Sequence, residues 1–180
     1  YEMDKRLTDD EILYVNLHPI AKKDVEFRFF KHIREFPAEY ENYEFLNVAD
    51  CLITDYSSVF YDFAVSRKKC VLFTYDKEEY FADRGVYRSL DELPFPQANT
   101  VDELFTELRC EKQYDDTAFL QEYCAYEHPN AAKDLCARWI FNTPCASIEE
   151  REVPNNGKEN VVFFSGGLAK NGLTTSLYNL

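Results

Sequence analysis

The chain has 180 residues, enough for one ordinary domain of roughly 100 to 150 residues with some length left over. Hydrophobic residues are 46% of it, with 13 Tyr and 15 Phe, which excludes a disordered segment. Its 33 acids against 20 bases give a net charge of −13, which argues against a broad surface that binds nucleic acid by neutralising phosphates. No apolar run approaches the roughly 20 residues of a membrane span, and the N-terminus lacks the pattern of a signal peptide. Tyr1 in place of Met, and a last stretch that opens an α/β unit without completing it, are the signs of an excised fragment. Six cysteines without a CxxC pair, several inside apolar runs, read as buried free thiols of a reducing cytosol rather than a zinc site or disulfide framework.

In chain order, Ile12 to Leu17 predicts a buried strand stopped by His18-Pro19, since proline cannot continue a central ladder. Val25 to Phe36 holds a second extended piece, and Tyr43 to Val48 one or two helical turns. Cys51 to Thr54 is a strand that runs into the polar turn Asp55-Tyr56-Ser57-Ser58, and Val59 to Ser66 has helical apolar spacing. Lys68-Lys69 ends that helix and Cys70 to Thr74 is the next strand, giving the β-α-β rhythm of a parallel sheet. Helices follow at Lys77 to Ala82, Val101 to Leu108, Thr117 to Tyr126 and Ala131 to Phe141, the last with Leu135, Trp139 and Ile140 on one face. Residues 143–160 are polar and turn-rich and read as a linker. Residues 161–180, a Val161-Val162-Phe163-Phe164 strand, a glycine turn and a helix start, read as the first βα unit of a second α/β domain.

Four places can carry chemistry. Ser57 and Ser58 sit where a helix begins, beside amides its first turn leaves unpaired, and such an end attracts phosphate; an ordinary N-cap is the alternative. Asp62, one turn on, could take ribose hydroxyls, or pair with Lys68 or Lys69. His18 ends the first strand on the same sheet edge and can donate to a phosphoryl oxygen or shuttle a proton, or be a satisfied structural residue; His32 and His128 lack such a position and read as surface or structural. Arg84 could fold back over that edge and supply local positive charge, or pair with an acid. Nothing points to a bound metal.

Taken together, Leu17-His18-Pro19, the string from Ala49-Asp50-Cys51-Leu52-Ile53-Thr54-Asp55-Tyr56-Ser57-Ser58 to Ala64, Tyr75-Asp76 and Arg84-Gly85-Val86-Tyr87 resemble the CDP-glycerol glycerophosphotransferases that polymerise teichoic acids, over roughly residues 10 to 142. The resemblance implies a Rossmann-like parallel sheet with flanking helices, the nucleotide-binding C-terminal half of a GT-B fold, over residues 1–142. It implies transfer of glycerol or ribitol phosphate from a CDP-polyol to a polyol-phosphate chain end with release of CMP. In that scheme His18 is catalytic, Ser57 and Ser58 cradle the diphosphate, and Asp62 and Arg84 assist. The donor CDP-glycerol is a substrate and no cofactor is implied. The acceptor would bind through a separate N-terminal domain, in a cytoplasmic protein held at the membrane by its other parts. No His-Gly pair, the family's other essential histidine motif, occurs in the chain, so it holds half a site. Glu127-His128-Pro129-Asn130 stands where members often carry Asp-Gly, and 161–180 resembles the start of a retaining glycosyltransferase. A nucleotide-sugar GT-B transferase and a receiver-like module phosphorylated on Asp55 are the competing readings.

Overall fold

The computed structural model describes residues 1–17, 25–84, 89–152 and 157, with the side chain of Arg84 excepted. The chain forms two compact units, Tyr1–Ala131 and Ala132–Leu180. His18 and the βα unit expected at 161–180 lie outside the described residues.

The first unit is α/β with parallel strands. After a short helix α1 (Glu2–Arg6), strand β1 (Leu13–Val15) pairs in parallel with β2 (Ile33–Glu35). The expected buried strand at Ile12 to Leu17 is shorter and half-covered, with Ile12 and Tyr14 exposed. The extended piece expected from Val25 divides into a 3-10 turn at Phe27–Phe29 and β2. Its aromatics pack on each other and on the N-terminus, Tyr1 against Phe30 at 5.1 Å, instead of laddering.

Helix α2 (Asn42–Val48) starts because the Glu41 carboxylate accepts from the amides of Tyr43 and Glu44. Three parallel strands follow in spatial order β3 (Cys51–Thr54), β4 (Lys69–Phe73), β5 (Gln97–Ala98), in register Leu52 to Cys70 and Leu72 to Gln97. Helix α3 (Val59–Ala64) crosses from β3 to β4, α4 (Lys77–Arg84) follows β4, and α5 (Val101–Arg109) follows β5.

The central strand β4 is covered on both faces, as a continuous apolar run in a parallel sheet requires. Cys70 and Leu72 pack with Phe60, Phe63 and Ala64 of α3 and with Phe119 and Leu120 of α6 (Thr117–Tyr123). Val71 turns the other way, onto Ala98 and Leu104 of α5. Cys70, Val71 and Leu72 are wholly buried, and burying such a side chain contributes about 1.5 to 3 kcal/mol.

Lys68 donates to the carbonyls of Asn47 and Ala49 at the end of α2, and Lys69 to those of Glu107 and Cys110 at the end of α5. Both lysines therefore neutralise helix C-termini, where positive charge is favoured. All six cysteines are free thiols, but only Cys70 is fully buried; Cys110 and Cys136 are exposed, so apolar flanks in sequence overstated their burial. Burial pushes the Cys70 thiol up, and the Cys51 thiol to about 11.

The turn after α3 leaves Arg67 in the left-handed region at φ 59°, a conformation that costs a non-glycine residue about 1 kcal/mol or more. Its guanidinium meets buried Asp116 at 3.1 Å, and Lys112 reaches the other Asp116 oxygen at 2.5 Å. Asp116 stands at the N-cap of α6 yet makes no capping bond there, and Asp115 accepts from the Thr117 amide instead. Asp116→Ala is expected to destabilise the first unit by about 2 to 3 kcal/mol, since both cations lose a carboxylate that is only 4% exposed. Urea midpoints checked against the Asp116→Asn variant, which keeps one acceptor and should lose less, measure this.

In the second unit, α7 (Ala131–Trp139) ends with Asn142 in the left-handed region at φ 51°. Arg138 holds the segment that follows by pairing with Glu150 and donating to Asn142, and Ser147 donates to Asp134. Leu135, Trp139 and Ile140 are exposed.

Candidate functional site

Because β3, β4 and β5 run in parallel, their C-terminal ends and the helices that follow share one edge, the place where ligands bind in open α/β sheets. Three helices begin there, and each treats a negative charge differently. The N-terminus of α5 is already occupied: the Thr100 hydroxyl accepts from the Glu103 amide at 3.2 Å, and the Glu103 carboxylate accepts from the Asn99 amide at 2.7 Å. Helix α4 is preceded by Asp76 and has Glu78 and Glu79 in its first turn, which oppose an anion. A cavity of about 540 Å³ beside it is lined by Asp76, Glu79, Tyr80, Ala82 and Asp83 and is too acidic for phosphate.

Helix α3 is the open one. Ser58 occupies its N-cap position with φ −64° and ψ −6°, and its hydroxyl makes no capping bond. The Ser57 hydroxyl reaches the Val59 amide only at 3.4 Å, long for a hydrogen bond. Ordinary capping thus accounts poorly for the two serines, and both are exposed at the sheet edge. The turn itself is set by Asp55, whose carboxylate accepts from the Ser57 amide at 3.1 Å.

Asp62 projects into solvent from the same short helix and accepts from the Tyr43 hydroxyl at 3.4 Å. Its charge pushes the Tyr43 hydroxyl upward. The pairing of Asp62 with Lys68 or Lys69 weighed in the sequence is not made, because both lysines are committed to helix C-termini. Arg84 is the last residue of α4; its side chain lies outside the described residues, as do Gly85 to Tyr87. His32, expected at the surface or in a structural role, is 8% exposed and holds the first sheet: its carbonyl accepts from the Leu13 amide. His128 accepts from the Asn130 amide at 3.3 Å just ahead of α7.

Two residues that the sequence reading passed over complete the edge. The Tyr56 hydroxyl donates to Asp76 at 2.8 Å, and the Tyr56 ring stacks on Tyr80 with centroids 3.9 Å apart and planes 17° off parallel. Tyr56 lay inside the quoted motif and Asp76 directly after a strand, but their pairing spans twenty residues of sequence and has no local signal.

Residues 1–142 match the sequence profile of the family described as CDP-Glycerol:Poly(glycerophosphate) glycerophosphotransferase. The teichoic acid poly(ribitol-phosphate) polymerase of Bacillus spizizenii is 32% identical over 111 residues, which cover 60% of this chain and 18% of that protein. The teichoic acid glycerol-phosphate transferase of Staphylococcus aureus is 31% identical over 144 residues, 72% of this chain and 35% of that protein. Among solved structures, a histidine-to-asparagine variant of the wall teichoic acid polymerase TagF superposes with a TM-score of 0.68 at 26% identity, covering 78% of this chain and 37% of that one. The chain thus spans well under half the length of the relatives it matches.

Proposed function

Since the chain belongs to the CDP-glycerol:poly(glycerophosphate) glycerophosphotransferase family, we propose that it holds the donor in a transfer of polyol phosphate from a CDP-polyol to a polyol-phosphate chain end. The acceptor hydroxyl oxygen attacks the phosphorus of the polyol phosphate and gives up its proton to solvent, the bond from that phosphorus to the bridging oxygen breaks with its electron pair staying on that oxygen, and CMP leaves, taking up a proton there. The observation that carries the assignment is the difference among three helix starts: among the described residues α3 alone begins with exposed hydroxyls, Ser57 and Ser58, that complete no close cap, although it too has an acid in its first turn, Asp62, and the exposed Asp55 ahead of it. Its dipole and amides favour the donor diphosphate, and the hydroxyls add neutral donors.

In this scheme Asp62 accepts from ribose hydroxyls in place of its long hydrogen bond from Tyr43. Arg84 supplies positive charge and His18 the catalytic acid, both on the strength of the family motif. The acceptor is held by a part of the protein other than these residues. The CDP-polyol is consumed as a substrate, and the scheme as written includes no cofactor. No described helix is long and apolar enough to cross a membrane; the cytoplasmic setting with peripheral attachment through other parts rests on the family reading.

Calorimetric titration tests the donor assignment. CDP is expected to bind the intact protein at least tenfold more tightly than UDP or GDP. Equal affinity for all three would overturn the nucleotide assignment, and preference for UDP would favour a sugar donor.

A further inference from the structure

The serine turn is exposed: the 3.1 Å bond from the Ser57 amide to Asp55 sets its local shape, but the Ser57 hydroxyl reaches the Val59 amide only at 3.4 Å, and neither contact ties the turn to the rest of the fold. A binding turn of that kind needs an external anchor, because a site displaced by an ångström loses much of its value. Tyr56, adjacent to Ser57, has one. Its hydroxyl reaches Asp76 at 2.8 Å, and Asp76 immediately precedes α4, so the bond ties the loop after β3 to the loop after β4. The ring stacks on Tyr80 one turn into α4 and meets Phe81 edge-on at 5.7 Å, against the margin of the α3 core. Each contact restrains a different motion: the hydrogen bond fixes the reach of the ring, and the stack fixes its plane.

We propose that Tyr56 is a positioning residue of the donor site, which acts through Ser57 and Ser58 by clamping their turn to the start of α4. The inference rests on the donor reading above. Burial and the neighbouring carboxylate hold the Tyr56 hydroxyl protonated across the physiological range, so it remains a donor to Asp76. Phosphate contact by Tyr56 itself is not required; a side chain that is already hydrogen-bonded and stacked serves best by not moving.

The test uses the intact protein, with CDP affinity by calorimetry and urea midpoints in parallel. Tyr56→Phe, which keeps the stack and loses the hydrogen bond, is expected to weaken CDP binding about 5- to 20-fold with little change in midpoint. The same substitution in a Ser57→Ala, Ser58→Ala background is expected to have no further effect, because the residues it positions are gone. Asp76→Asn, which keeps an acceptor, is expected to retain at least the wild-type affinity. Unchanged affinity in Tyr56→Phe, or an equal loss in both backgrounds, would overturn the positioning role. A wild-type protein indifferent to CDP would overturn the donor reading instead, so the two failures are told apart by the wild-type titration.

Discussion

Replacing His18 by asparagine is expected to lower CMP release by the intact protein about 10²- to 10⁴-fold, the range supplied by a positioned general acid or base. The leaving CMP must carry away negative charge that the diphosphate had shared between two phosphorus centres. A proton, or a strong donor, at the bridging oxygen lowers that cost. Histidine is the side chain type suited to moving a proton near neutral pH. Glutamine in the same place keeps a neutral donor but cannot give up a proton. Loss of rate in both variants, with CDP affinity within about threefold of wild type, assigns proton transfer. Recovery of most of the rate in His18→Gln assigns phosphate binding, and full activity in both removes His18 from the site.

Alanine at both Ser57 and Ser58 is expected to weaken CDP binding about 10²-fold. A hydrogen bond to an ionised oxygen contributes about 1.5 to 3 kcal/mol, and two exposed donors at the low end of that range sum to roughly a hundredfold. Because neither hydroxyl is a strong cap, and Ser57 reaches Val59 only at 3.4 Å, the double variant should lose little stability. Unequal loss is the informative result: a large fall in urea midpoint with unchanged CDP affinity would make the serines structural. Ser58→Thr, which retains the hydroxyl, should keep most of the binding.

Much of the first unit is legible in the chain because its signals are local. The β3-α3-β4 segment announces itself through four apolar strand residues, a hydroxyl-rich turn and helical spacing, and its observed limits fall close to those expected. Helix α5 differs by one residue at its end, because Thr100 and Glu103 fix its start and its apolar face fixes its course. Strand β5 has no such signature. Gln97–Ala98 is extended because β4 makes it so, with the Leu72 amide donating to Pro96 and the Thr74 amide to Ala98. A pair of residues cannot show a period.

The same limit governs the site. Ser57, Ser58 and Asp62 stand in one contiguous motif, so sequence alone could propose them. Tyr56 with Asp76, and Tyr43 with Asp62, meet only after the chain has folded. The occupied start of α5 was equally open to inspection, since Thr100 and Glu103 have capping-box spacing, but its meaning as a site denied to phosphate appears only when three helix starts share an edge.

That shared edge also has a polarity. The exposed hydroxyls of Ser57 and Ser58 precede α3, Glu78 and Glu79 stand in the first turn of α4, and the Thr100–Glu103 pair closes the start of α5. On the proposed donor reading, the diphosphate, which lies between the cytidine and the polyol of a CDP-polyol, would settle by β3 and α3 rather than at α4. On that reading, the spacing of acids on a protein of net charge −13 would select where the diphosphate lies.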